Sequence, residues 1–378
     1  MKKILYLSRS GQFGGMEKHI LDLIKSVKNE FEIHVFCEEG PMAKEYEKNS
    51  AIVRIVVPQN SLDFGYMQKV RDYIVNNKIN ILHTHELEVT FLGLMSVANL
   101  KNVKKIMHIH TPITSWRHSF VGMLFKAPLN FIANFFVGNF VADKVVALTE
   151  SIKKERITKE LIISSKVVLI PNSINTSEFQ IDETQKSTYK NYILSKYNIP
   201  NNKIVIGNLS RLTKEKGQDL LINAFAEVLK INPNLHLVIA GGGQLLNDYN
   251  ELIVSLGIEK SCTITGIFEE SDKTKMYATF DYFVFPSLAE GFGYVLVEAM
   301  SAGLMILASD IQVLKDVSNN QINFFKSGDS FDLTNKLLVL IESRSNKDEM
   351  YNRYKTVLNN YTFVSFQNNY LNLYKSFF

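Results

Sequence analysis

The sequence predicts an α/β protein of two doubly wound, Rossmann-like domains. Its 378 residues are enough for two hydrophobic cores at roughly 150 residues per domain. Short apolar runs of strand length alternate with helix-period segments, the signature of parallel sheets covered on both faces. The alternation stops once, over the polar stretch 172–203, and then restarts.

In the first half, strand-like runs fall at Lys3–Leu7, Glu32–Phe36, Ile52–Val57, Ile81–His83, Lys105–Ile109, Lys144–Ala147 and Val167–Ile170. Helix-period segments such as His19–Val27 and Met67–Val75 lie between them. These elements assign 1–180 to the first domain, with the terminal helix at about 363–378 packing back on it. The Lys-, Asn- and Thr-rich stretch after Pro171 reads as the crossover. Ile204–Gly207 then opens a second domain at 200–360. Its first helix, Gln218–Leu229, carries Leu220, Leu221, Ala224, Phe225, Val228 and Leu229 on one face. Strands at Leu235–Ala240, Cys262–Thr265, Asp281–Phe285 and Leu304–Ala308 complete its sheet.

Composition narrows the function classes. With 46% hydrophobic and 21% charged residues, disorder, collagen and disulfide scaffolds are excluded. Cys37 and Cys262 lie far apart, which fits a reducing, cytoplasmic setting with no metal-type cysteine pair. The apolar run Ile4–Leu7 stops at Ser8-Arg9-Ser10, too short for a signal peptide, and reads as a first buried strand.

Charge is uneven. Residues up to 180 hold 23 basic and 17 acidic side chains, and the remainder 19 and 21. The excess concentrates in Lys101–Lys166, with eleven basic residues against four acidic. Because no base-reading motif accompanies it, nucleic acid is not expected. An anionic membrane surface or a phosphorylated substrate suits the excess equally. Inside this segment Phe120–Val141 is very apolar, and Lys126, Asn130 and Asn134 would line up as a thin polar stripe on a helix. Pro128 suits the first turn of that helix and Gly138 its stop, a length too short to span a bilayer. Two readings stay open: a core helix of the first domain, or a helix lying on a membrane surface.

Ligands of open α/β sheets bind at the carboxyl ends of the strands, so the loops there carry the chemistry. After the first strand stands Gly11-Gln12-Phe13-Gly14-Gly15-Met16, either an anion-binding turn at a helix N-terminus or a plain tight turn. After Ile204–Gly207 comes Ser210-Arg211-Leu212-Thr213-Lys214-Glu215-Lys216-Gly217, whose Arg211 and Lys216 can converge on a diphosphate or stand as ordinary exposed loop cations. Gly241-Gly242-Gly243 offers close ligand approach or a flexible turn. Glu290-Gly291-Phe292-Gly293-Tyr294 leads into a helix bearing Glu298, two glutamates eight apart around a strand–glycine–helix junction. Its free N–H groups suit an anion, and Glu298 suits the hydroxyls of a ribose. His83, His85, His108 and His110 end two strands with one-residue spacing, compatible with metal but more simply with core or hydrogen-bonding roles. Asp-x-Asp, H-E-x-x-H and the Walker lysine are absent.

Taken in order, these residues resemble the retaining glycosyltransferases of the GT-B type, family 4, over essentially the whole chain. The resemblance rests on Gly14-Gly15-Met16-Glu17, Ile170-Pro171-Asn172, Arg211 with Lys216, and Glu290 through Glu298 followed by Ala299-Met300-Ser301-Ala302-Gly303. It departs at Ser173 and Ser210, where the family has glycine, and at Ile311–Asp316, where it has Gly-Gly-x-Pro-Glu.

The resemblance implies two domains facing across a cleft, the acceptor held by the first and a nucleotide-sugar donor, UDP rather than GDP, by the second. Arg211 and Lys216 would neutralise the diphosphate, and Glu298 would hold the ribose. Ile267 or Phe268 would flank the base. Glu290, Gly291, Phe292, Gly293 and Tyr294 would meet the donor sugar, and Gly14 and Gly15 would close on the donor from the first domain. His110 would lie beside the transferring sugar, joining Glu290, Lys216 and Arg211 as the catalytic set. Met16, Glu17, His85 and Glu86 would touch a glycan or lipid-linked glycan acceptor. No metal is expected. The enzyme would work in cell-surface polysaccharide assembly, cytoplasmic or peripheral on the inner face of the cytoplasmic membrane. Its alternatives are a nucleotide-sugar epimerase of similar shape and an inactive acceptor-binding partner of another transferase.

Overall fold

The computed structural model describes residues 1–113, 120–343 and 347–378. They form two compact units, Met1–Ser173 with Tyr361–Phe378, and Ile174–Asn360.

The first unit is a seven-stranded parallel sheet of β1 (Lys2–Leu7), β2 (Phe31–Cys37), β3 (Ile52–Ile55), β4 (Ile81–His85), β5 (Lys104–His108), β6 (Lys144–Ala147) and β7 (Val167–Leu169), in the order β3-β2-β1-β4-β5-β6-β7. The second is a six-stranded parallel sheet of β8 (Ile204–Leu209), β9 (Leu235–Ala240), β10 (Cys262–Ile264), β11 (Tyr282–Phe285), β12 (Met305–Ser309) and β13 (Asn323–Phe325), in the order β10-β9-β8-β11-β12-β13. Each sheet reverses its winding once, between β1 and β4 and between β8 and β11. Loops diverge at those reversals and leave a crevice at the carboxyl ends of the paired strands.

Helices on both faces explain why Ile4–Leu7 of β1 and all of β9 are fully buried. In the first unit Ile20, Leu23, Ile24 and Val27 of the helix Gly15–Val27 share a core with Phe366, Tyr370, Leu373 and Tyr374 of the terminal helix Phe363–Lys375. Thr362 caps that last helix by accepting from the Ser365 amide at 3.3 Å. In the second unit Leu221, Phe225 and Val228 of the helix Gln218–Ile231 pack against Ile206, Leu237, Val284 and Leu307 of the strands.

The polar stretch 172–203 holds a helix, Glu183–Lys196, where the sequence suggested only a crossover. Asp182 caps it through the Gln185 amide at 2.8 Å. Only Ile193 and Leu194 are buried along it, so its sequence shows no apolar stripe.

The apolar segment departs further from expectation. The helix Phe120–Phe136 contains Pro128 in its interior rather than its first turn, and a π-helical turn, Val137–Val141, includes Gly138 instead of stopping there. Its polarity is mixed on both sides. Asn134 is buried and donates to Glu160 Oε2 at 3.1 Å. Asn139 donates to the carbonyls of Phe135 and Leu161 and accepts from the Ile163 amide at 2.8 Å. Leu129, Ile132, Phe136 and Phe140 point outward at 67%, 62%, 46% and 68% exposure. Among the described side chains of this segment, four large apolar ones are exposed while Val137 is buried, so it is not wholly a core element; the Lys126 side chain lies outside the described residues. Among the described residues, no helix is long and apolar enough to cross a membrane.

Candidate active site

In the second unit the winding reversal joins two loops. The first leaves β8 through Ser210 and Arg211, makes a 3₁₀ turn at Lys214–Lys216, and enters the helix Gln218–Ile231 at Gly217. Gly217 has φ +65°, and a Cβ there would meet the Pro286 carbonyl oxygen at 2.3 Å. Only glycine tolerates both the left-handed backbone and that approach. The approach lets the Leu288 amide donate to the Glu215 carbonyl at 2.7 Å. It also brings Lys216 Nζ within 2.6 Å of Glu290 Oε1, which accepts from Ser287 Oγ at 2.7 Å as well.

Lys216 and Glu290 are therefore a largely buried ion pair, with side chains 16% and 9% exposed. This corrects the view of Lys216 as an ordinary exposed loop cation. Arg211 is exposed, and its carbonyl accepts from Gln218 Nε2 at 2.8 Å. Burial alone would raise the Glu215 carboxyl. The Thr213 hydroxyl, its own backbone amide, Lys216 and Arg211 hold it below the usual range, so both cations act on one locality.

The second loop runs from β11 through Glu290, Gly291 and the buried Phe292 into the helix Tyr294–Ser301, with Gly293 at its N-cap. Tyr294 opens that helix, its ring 5.5 Å from that of Phe292. Glu298 is turned inward. Its carboxylate faces Lys273 Nζ at 2.8 Å and accepts from Tyr277 Oη at 2.9 Å, and the residue is 1% exposed. Glu298 is thus held in a buried ion pair, and a ribose would reach its remaining lone pairs. Burial alone would lower Lys273, but Glu298 and Glu270 raise it above its ordinary range.

Gly241-Gly242-Gly243 serves chain packing rather than an open turn. A Cβ on Gly241 would meet the Ser210 carbonyl oxygen at 2.1 Å, and one on Gly242 would meet Ile267 Cγ1 at 2.5 Å. Ile267 itself is 91% exposed beside the half-buried Phe268 at the end of β10, an apolar platform open to a flat ligand.

In the first unit the reversal lies between β1 and β4. Gly14 and Gly15 open the helix Gly15–Val27, with Met16 half-buried and Glu17 buried behind them. A Cβ on Gly14 would meet Glu17 Oε2 at 2.3 Å, so this glycine makes room for the carboxylate. Glu86 follows β4 with φ +69°, a conformation that costs a non-glycine residue about 1–3 kcal/mol and that clusters at functional sites. Its carboxylate accepts from the Arg9 amide at 3.1 Å. Burial pushes that carboxyl up to about 7, with the Arg9 amide opposing and Glu17 assisting.

His85 and His110 are brought together, Nδ1 and Nε2 sharing a hydrogen bond at 3.2 Å. His110 stacks on His108 at 4.0 Å and 13°. His19, which sequence reasoning placed only on a helix, packs edge-on against both at 4.7 and 5.0 Å. Burial holds all of these rings well below the usual histidine range, so they are neutral at pH 7.

Two winding reversals, each edged with charged and neutral hydrogen-bonding groups, define a two-unit α/β enzyme of the doubly wound class. Comparisons carry this further. The family described as Glycosyltransferase Family 4 matches residues 13–178, and Glycosyl transferases group 1 matches residues 190–357. Glycosyltransferase MJ1607 of Methanocaldococcus jannaschii is 27% identical over 323 residues, 82% of this chain and 80% of that one. The phosphatidylinositol N-acetylglucosaminyltransferase GPI3 subunit of Saccharomyces cerevisiae is 25% identical over 290 residues, 75% of this chain, which spans 60% of that protein. Among solved structures, Anabaena Alr3699/HepE, crystallised with UDP and glucose, superposes at a TM-score of 0.85 over 100% of both chains with 19% identity. The chain belongs to the GT-B, family 4-like glycosyltransferases.

Proposed function

We propose that this transferase is a retaining, metal-independent enzyme that moves a sugar from a UDP-sugar to a hydroxyl of a glycan or lipid-linked glycan in cell-surface polysaccharide assembly. The observation that carries the reading is the stitched pair of loops at the second reversal, which sets Lys216 against Glu290 at 2.6 Å. In this reading Arg211 and Lys216 neutralise the diphosphate, amides at Gly293–Tyr294 add partial positive charge, and Glu290 orients donor-sugar hydroxyls. The bond from the sugar's anomeric carbon to the phosphate oxygen breaks. That oxygen accepts the proton of the acceptor hydroxyl, whose oxygen bonds the anomeric carbon on the same face. Fixed cations stabilise the departing charge without reorganisation. UDP is favoured by the nucleotide held by HepE.

Glu86 and His110, at the carboxyl ends of β4 and β5, are the first unit's candidates for the acceptor and the transferring sugar. A lipid-linked acceptor gains support from the lipid named for GPI3. It gains more from the outward face of Leu129, Ile132, Phe136 and Phe140, which lies within the basic segment Lys101–Lys166. Apolar insertion plus roughly 1 kcal/mol per basic residue near an anionic surface suits peripheral binding.

Incubation with a panel of labelled nucleotide sugars and glycan or lipid-linked acceptors tests the reaction. Transfer with retained anomeric configuration is expected; an epimerised donor or an unchanged one overturns it. Flotation with anionic vesicles at low salt tests the surface. Ile132→Asp combined with Phe136→Asp is expected to leave the membrane fraction, and equal recovery of variant and parent ends the membrane assignment.

A further inference from the structure

We propose that the first unit holds a structural zinc ion in a cage of four imidazoles, His19, His85, His108 and His110. The four come from three elements: the helix Gly15–Val27, the end of β4, and the end of β5 with the residue two beyond it. Each ring offers one nitrogen, and those four nitrogens all lie within 4.8 Å of one another. Tetrahedral zinc with bonds of about 2.0–2.1 Å sets its donors about 3.4 Å apart, so the widest pair closes by about 1.4 Å, within the reach of side-chain torsions.

Unsatisfied atoms belong to this cluster, an observation independent of its spacing. His108 is fully buried, and among the described residues neither of its ring nitrogens has a hydrogen-bond partner; His85 Nε2 is in the same position. Buried polar atoms without partners are rare in folded proteins and call for an occupant. A cation gives each lone pair its partner.

An outer layer is present as well. Asn172 Oδ1 lies 2.6 Å from His19 Nδ1 and, accepting from it, leaves Nε2 to coordinate; that nitrogen meets Tyr370 Oη at 3.3 Å, a hydrogen bond the metal would replace. His83 is not among the four rings whose nitrogens converge; its Nδ1 pairs with Tyr374 Oη at 2.8 Å. Four nitrogen donors without oxygens exclude calcium or magnesium as the occupant and suit zinc. Glu17 and Asp22, each within one turn of His19 on its helix, supply negative charge for a divalent ion. A ligated His110 keeps its second nitrogen, so the cage is compatible with the sugar contact proposed for that residue.

The same rings could form a metal-free stack, and zinc binding to the full chain separates the two. Chelator-treated protein dialysed against zinc should take up one ion per chain and gain melting temperature. Cobalt in its place should give the visible spectrum of a tetrahedral, sulfur-free site. His108→Gln should weaken zinc binding at least 100-fold and Asn172→Ala about 10- to 100-fold, while His236→Gln leaves it unchanged. Uptake below about a tenth of an ion per chain, or equal affinity in His108→Gln, overturns the site. Should His108→Gln fail to fold, Asn172→Ala and the cobalt spectrum decide, and an octahedral spectrum counts against it.

Discussion

The first unit buries a set of imidazoles beneath its winding reversal, whereas the second buries an ion pair beneath its own. His19, His83, His85 and His108 are fully buried in the one, and Lys273 with Glu298 forms a largely buried pair in the other. The sheets are built alike, so the contrast lies in what the polar layer responds to. Neutral rings are sensitive to protons, while a matched ion pair is sensitive to loss of either partner. The exposed chemistry differs too: free-standing Arg211 and paired Lys216 edge the second reversal, and the strained Glu86 edges the first.

Acid should break the comparison most. Six histidines of the first unit, His19, His34, His83, His85, His108 and His110, have folded pKa values depressed by burial, His19 to about 3. Their unfolded value is about 6.5, so below that pH the unfolded chain binds protons that the folded unit refuses. Stability is therefore present above about pH 6.5 and lost as pH falls, by up to about 1.4 kcal/mol per pH unit for each ring. Asp22, pushed up to about 6 by burial, and Glu86 act with the opposite sign and offset part of the loss. In the second unit only His236, lowered to about 4 by burial, behaves this way. Hydrogen exchange corrected for intrinsic rates should lose protection in β4 and β5 near pH 5 while β8 and β11 keep theirs. Simultaneous loss in both would show that the histidine layer does not govern the first unit.

Glu298→Gln should come next in size. It leaves the Lys273 ammonium, 12% exposed, with only Glu270 at 3.0 Å, itself 69% exposed. Breaking a buried pair from one side costs about 3–5 kcal/mol, and the surviving partner puts this case near the lower end. Thermal melting of the purified variant checks it, and an unchanged transition with a raised KM for the donor would return Glu298 to the ribose.

Arg211→Ala sharpens the contrast from the other side. An exposed residue carries little stability, but a cation facing a departing diphosphate is worth about 3 kcal/mol, or roughly a hundredfold in turnover. Steady-state rates with the best donor, set beside an unchanged melting curve, are the measurement. Lys216→Ala should lose comparable rate and also some stability, because it strands Glu290 with Ser287 alone. Full activity in either variant removes the diphosphate assignment.

The sequence was most informative where one strand and its following loop determine the outcome. Both sheets, the loops around Arg211 and Glu290, and the helix begun after Gly293 follow from local patterns of period, glycine and charge. It was silent where partners converge from distant elements. Nothing near His19 marks it as a neighbour of β4 and β5, and nothing near Lys273 marks it as the partner of Glu298, which lies on a different helix. The stripe on Phe120–Phe136 was misjudged for a related reason. Periodicity finds the two faces of a helix but cannot say which is inward when Glu160 waits inside to receive Asn134.

Chelation should have the smallest effect, none on initial rates. At the second reversal the charge available to a diphosphate comes from Arg211, Lys216 and helix amides, and no pair of carboxylates with Asp-x-Asp spacing is present to bridge it to a cation. Excess chelator added with the substrates tests this, and the identity of any rescuing ion separates the two units. Loss of activity restored by magnesium or manganese, which prefer oxygen ligands, would place a metal on the diphosphate and overturn the donor reading. Slow loss on long exposure restored only by zinc would instead point to the imidazole cage and leave the donor reading standing.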